Sequence, residues 1–193
     1  MTAAQRRRAC SYADRVNPDA GPADLTALAL RAAAGDVDAL DRFVRATHDQ
    51  VRRFIAYQAH PRHADDLTQE TFARAIAALP TFQGRSHART WLFSIAKNVV
   101  TDSQRVAARR RTVPHPAPDR LGPARSDVTT TVLDHLLAGL PAEQRDALVL
   151  TRVLGFGYDE AAEVLGCATG TIRSRVARAR TALRAERRGR SAG

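Results

Sequence analysis

The chain has 193 residues, 44% hydrophobic and 26% charged, which allows one domain or two small ones with modest cores. Its 30 basic residues outnumber 20 acidic ones, giving a formal charge of +10 and a sequence pI near 11.1; a polyanionic partner follows, nucleic acid first and an acidic membrane surface second. Two cysteines, Cys10 and Cys167, are too few for a disulfide framework or a cysteine-built zinc site, and no apolar run could serve a signal peptide or span a bilayer, so a cytoplasmic protein is expected.

In chain order, residues 1–23 carry an RRR cluster without apolar periodicity and read as a disordered tail. Residues 24–107 form a first predicted module. Leu40, Phe43, Val44, Val51, Phe54 and Ile55 recur at helical spacing, and Leu67, Phe72, Ile76 and Leu79 do so again before Pro80. A third helix is predicted from Ser86 to about Arg105, with Trp91, Leu92, Ile95, Ala96 and Val99 on one apolar arc. Its opposite face carries Thr90, Ser94, Lys97, Thr101 and Arg105, with Asn98 at the margin. That face suits readout of an unpaired base edge together with phosphates.

Residues 108–127 hold four prolines and no apolar face, which predicts a linker. Residues 128–186 form a second helical module, with Val128, Val132, Leu133, Leu136 and Leu137 at helical spacing, then a helix opened by Pro141 and closed near Gly155, then two more; 187–193 form a tail. No strand pattern occurs, so the expected fold class is all-α, with two small helical domains joined by a flexible linker. Charge divides with the modules, at +7 over 81–125, −5 over 126–165 and +7 over 166–193. Two basic zones therefore face a polyanion, and the acidic stretch between them faces something else.

The segment FGYDEAAEVLGCATGTIRSRV fits a helix-turn-helix, with Ala162 small at the helix crossing, Gly166 in the turn and Ile172 anchoring the second helix with Val176, Ala179 and Leu183. Thr169 is the predicted N-cap. Thr171, Ser174 and Arg178 lie opposite or beside the apolar stripe and Arg173 flanks it, so this side can face a major groove, while Gly170 admits a phosphate.

The run ADDLTQETFARAIAALPTFQGRSHARTWLFSIAKNVVTDSQR, 64–105, resembles conserved region two of the extracytoplasmic-function sigma factors of bacterial RNA polymerase, and GFGYDEAAEVLGCATGTIRSRVARARTAL resembles their region four. Within the family the likeness is greatest to the actinobacterial sigma C group. The resemblance implies a subunit that directs core polymerase to promoters. It implies that Phe82, Gln83, Gly84, Arg85 and Ser86, with Ser94, Lys97, Asn98, Thr101 and Arg105 on the following helix, melt and read the downstream promoter element, Asn98 at the base pocket. Thr169, Gly170, Thr171, Arg173, Ser174, Arg175 and Arg178 would read the upstream element. Asp65, Asp66, Gln69, Glu70 and Phe72 would dock the clamp helices of the largest polymerase subunit. The acidic, leucine-rich helices of the second module would meet the flap of the second-largest subunit. An anti-sigma factor is a further partner the family implies.

No phosphate-binding glycine loop supplies energy for melting, so binding energy must do so, and no Ser, Cys or carboxylate pair sits in a catalytic motif. An enzyme, a cofactor and a metal are not expected; His60 and His63 beside Asp65 and Asp66 read as helix-start chemistry. The rival function is a two-domain helix-turn-helix regulator that binds duplex DNA independently of polymerase.

Overall fold

The computed structural model describes residues 22–59, 61–110 and 136–191. The expected N-terminal tail and linker fall almost wholly outside them, as do Val128, Val132 and Leu133. Among the described residues every regular element is helical: α1 (Pro22–Ala33), α2 (Val37–Gln58), α3 (Ala64–Ala78), α4 (Ala88–Arg110), α5 (Ala142–Leu148), α6 (Tyr158–Leu165) and α7 (Thr169–Ser191), with short turns between. The last of these runs into the expected C-terminal tail, which is helical as far as Ser191.

α1 is not among the helices expected above. Its signal is Leu25, Leu28 and Ala29, spaced for one face and all buried. This helix also holds α4 in place, because Thr26 Oγ1 accepts the Ala88 N–H at 3.1 Å across 62 residues of sequence. Gly35, at φ +95°, turns the chain out of α1, and Asp36 then works in two directions. Its carboxylate accepts the Ala39 N–H at 2.9 Å as the N-cap of α2 and pairs with Arg31 at 2.6 Å. Those contacts hold the Asp36 carboxyl below its ordinary pKa, the cap bond first and Arg31 second.

α2 buries Phe43, Val51, Phe54 and Ile55 on one face. α3 opens with Asp65 and Asp66 in its first turn, where the helix dipole favours carboxylates. α4 begins at Ala88 rather than Ser86 and continues to Arg110, past the predicted end of the module. Phe93 and Val100 are buried as well as the expected Leu92, Ala96 and Val99, so its apolar face is wider than the predicted arc.

In the second module Pro141 leads into α5, whose last turn passes into a π-helical segment, Val149–Val153. The widened turn carries Leu154 N–H to the Val149 carbonyl at 3.0 Å and Phe156 N–H to the Leu150 carbonyl at 2.9 Å, and Gly155 closes it at φ +72°. α6 ends as expected at Gly166, left-handed at φ +61°. Cys167 N–H bonds to the Ala162 carbonyl and Gly166 N–H to the Glu163 carbonyl, a Schellman closure. The crossing packs Ala161 and Ala162 against Ile172, Val176 and Ala179, all buried.

Thr169 is not the cap that its position suggests. The first carbonyl of α7 to accept helical bonds is that of Ala168, and Thr169 Oγ1 donates instead to Asp159 Oδ1 at 2.6 Å, tying α7 to α6. The two modules share one continuous apolar core. α4 packs on α6, and the Phe156 ring, 4% exposed, lies edge-on 4.9 Å from Phe93, which in turn sits 5.2 Å from Phe54.

Candidate nucleic-acid interface

The loop before α4 surrounds a cavity of about 300 Å³ lined by Thr81, Phe82, Gln83, Arg85, Ser86 and Trp91. Phe82 is 9% exposed and packs on Trp91 with ring centroids 5.0 Å apart, so it forms the floor of the cavity rather than a projecting ring. Gln83 and Arg85 are exposed at its rim, and Ser86 is half-buried. Gly84 takes φ +68°, and a β-carbon there would stand 3.4 Å from the Leu30 side chain, so glycine suits both the turn and the fit.

Along α4, Asn98 and Arg105 are exposed, and Asp102 Oδ1 lies 3.9 Å from the Arg105 guanidinium. The rest of the predicted polar face is not open. Thr90 is fully buried, Ser94 Oγ donates to the Thr90 carbonyl, and Thr101 Oγ1 donates to the Lys97 carbonyl. Lys97 Nζ donates to Asp146 Oδ2 at 2.6 Å and to Gln58 Oε1 at 3.3 Å. The hydroxyls of Ser94 and Thr101 turn back on α4 itself, whereas Lys97 is taken up by the second module, which packs on this helix. Burial raises the Asp146 carboxyl above its ordinary value, and the adjacent Lys97 only partly opposes that.

Four seam residues carry no mark in the sequence that sets them apart: Gln58, Arg89, Asp146 and Phe156. Arg89 donates through Nε to Gln50 Oε1 at 3.1 Å and through Nη2 to the Leu154 carbonyl, and its guanidinium lies 4.0 Å from the Phe156 ring centroid. Burial lowers its pKa. Only the acidity of the 126–165 segment hints at such a role, because which acid crosses to α4 is a long-range matter.

On α7, Gly170, Arg173 and Arg178 are exposed and Thr171 and Ser174 half-buried on the expected side. A β-carbon at Gly170 would meet nothing within 4 Å. Arg175 differs from its expected neighbours. It reaches back to Glu143 Oε2 at 2.6 Å and to the Cys167 sulfur at 3.5 Å, joining α7 to α5 instead of pointing outward.

The acidic face of α3 is present. Asp66, Gln69 and Glu70 are exposed, Asp65 pairs with Arg52 at 2.6 Å, and Glu70 pairs with Arg74, which also reaches Asp102. Phe72 is the exception, since it is buried with its ring stacked 5.8 Å from His48 and belongs to the core. Among the described residues no group of three or more His, Cys, Asp or Glu could hold a metal; His60 lies outside them. No helix there is long and apolar enough to cross a membrane.

Two helical modules, one with an acidic helix and a loop-bounded cavity and the other with a helix-turn-helix, define the sigma-70 class, and comparison with known proteins agrees. Residues 43–111 match sigma-70 region 2, and residues 131–183 match sigma-70 region 4. ECF RNA polymerase sigma factor SigC of Mycobacterium tuberculosis is 50% identical over 167 residues, covering 84% of this chain and 90% of that protein. EcfG of Rhodopseudomonas palustris is 38% identical over 157 residues, covering 77% and 84%. Among solved structures, the sigma factor RpoE of Bartonella quintana, in complex with the anti-sigma factor NepR, aligns at TM-score 0.66 and 30% identity over 76% of this chain and 95% of that one. CnrH, in complex with the cytosolic domain of CnrY, aligns at 0.67 and 28% over 85% and 97%. The chain belongs to the ECF sigma factors, an alternative sigma factor of RNA polymerase. That family is not known for enzymatic activity.

Proposed function

We propose that this chain works in the cytoplasm as a single-copy promoter-reading subunit of RNA polymerase, acting by binding and not by catalysis. The observation that carries the assignment of surfaces is that exposed Asn98 and the Gln83–Arg85 rim stand on one module while exposed Arg173 and Arg178 stand on the other. The second surface grips duplex DNA in a major groove. The first captures an unpaired base and favours the open promoter by the difference in binding energy, which offsets the few kcal/mol of unstacking. The exposed carboxylates of α3 dock the polymerase clamp, and the leucine-rich α5 region meets the flap.

Lys97 enters the same account with a condition. Its ammonium is engaged by Asp146, so contact with a phosphate at Lys97 requires α4 to part from the second module. RpoE of Bartonella quintana was solved with the anti-sigma factor NepR, which supports a comparable partner for this chain. Co-elution with core polymerase tests the assignment. A one-to-one complex weakened by Asp66→Arg is expected, and a chain that dimerises on palindromic duplex DNA while ignoring core polymerase would favour the independent-regulator alternative.

A further inference from the structure

The seam between the modules holds a second cavity, of about 330 Å³, whose walls come from both. Arg45, Asp49, Gln50 and Arg53 line it from one face of α2, Arg89 from the first turn of α4, and Leu154 from the end of the π-helical segment. Of its three guanidinium groups Arg45 is paired with Asp41 at 2.8 Å, which leaves Arg53 and Arg89 against one carboxylate, and the Asp49 side chain is 91% exposed, turned largely to solvent.

Arg89 is the unusual member. It is half-buried, yet among the described residues no carboxylate lies within ion-pair distance, and both its acceptors there are neutral oxygens. Those bonds use Nε and Nη2, so Nη1, with two of the five N–H donors of a guanidinium, has no acceptor among the described residues. Arg53, an exposed α2 residue lining the same cavity, makes no hydrogen bond or ion pair among the described residues either. A partly desolvated cation with spare donors, sharing its cavity with a second unengaged guanidinium, is suited to a multiply charged oxyanion, since arginine forks bind phosphate oxygens two at a time.

We propose that this seam cavity is a binding site for a small di- or triphosphate-bearing molecule, held by Arg53 and Arg89. Its volume is at the small end for ligand sites, enough for a diphosphate and little more than a compact organic group. Because Leu154 closes one wall, the site is complete only while the modules are packed together. The ligand therefore stabilises the packed arrangement by mass action, and with it the engagement of Lys97 by Asp146. Through the promoter-reading role proposed above, on which this last step rests, it opposes promoter capture.

Isothermal titration of the full-length chain with pyrophosphate tests the site without polymerase, so its failure leaves the promoter reading untouched. Saturable binding is expected, weakened about tenfold or more by Arg53→Ala and by Arg89→Lys, as the loss of charge-assisted bonds implies. Arg62→Ala, outside the cavity, should leave it unchanged. Phe156→Ala, which loosens the seam without removing an arginine, should weaken it too, with helicity by circular dichroism confirming that the variant is folded. No saturable binding, equal losses in Arg62→Ala and Arg53→Ala, or full affinity in the folded seam variant would overturn the proposal.

Discussion

Asn98 and Arg173 stand on different modules and, in the function proposed, meet different states of DNA, so their loss should be felt at different steps. Asn98→Ala removes an exposed amide from α4, and is expected to slow open-complex formation while leaving initial promoter binding nearly intact; permanganate reactivity of the melted strand against gel-shift affinity separates the two. Arg173→Ala is expected to cost about 1–3 kcal/mol of discrimination in the upstream element alone, read from binding to a randomised duplex library. Arg175 is predicted to behave otherwise. Since it bridges to Glu143 and Cys167, Arg175→Ala should lower the thermal stability of the second module with little change in sequence preference. These distinctions are only partly legible in the sequence. Helical periodicity separates the apolar stripe of α7 from its polar side, but it cannot say that Arg175 folds back to an acid 32 residues earlier.

The helix-turn-helix depends on one backbone conformation at the scale of the element. Gly166 sits at φ +61°, and a β-carbon there would meet nothing within 4 Å, so Gly166→Ala carries a purely conformational penalty of about 1 kcal/mol, visible as a lower thermal midpoint with unchanged helix content. The turn is readable in the sequence because its requirement is local. So are α2, α3 and α4, each marked by large apolar residues at 3.6 spacing. The start of α7 departs from expectation by one residue, since the Ala168 carbonyl is the first to accept, and the Thr169 hydroxyl donates to Asp159, ten residues away on α6. α1 is harder to see although Leu25, Leu28 and Ala29 mark a face; its value lies in a distant contact, Thr26 to Ala88, that no local pattern announces.

Packing of the two modules is a balance at the scale of the molecule. Burying Phe156 contributes roughly 1.5–3 kcal/mol, and against it stands the burial of the Asp146 carboxyl, which Lys97 only partly offsets. Acidity should shift that balance in a defined direction. Burial raises the Asp146 carboxyl above 3.8, against the pull of Lys97, Arg145 and Arg175, so the packed state holds this proton more firmly than the parted one. Packing should therefore strengthen as pH falls from neutral through that raised value and gain nothing further below the ordinary one; hydrogen exchange along α4 measures it, and Asp146→Asn should flatten this part of the profile. Nothing in the sequence discloses the seam, because Phe156 and Asp146 look like ordinary members of their own helical module. Promoter selection by the whole molecule is tested most directly by transcription with core polymerase from a promoter library, with and without the chain. Starts are predicted that appear only with the chain, share an upstream and a downstream element, and lose dependence on the first with Arg173→Ala and melting with Asn98→Ala. Starts indifferent to the chain would contradict its role as a promoter-reading subunit.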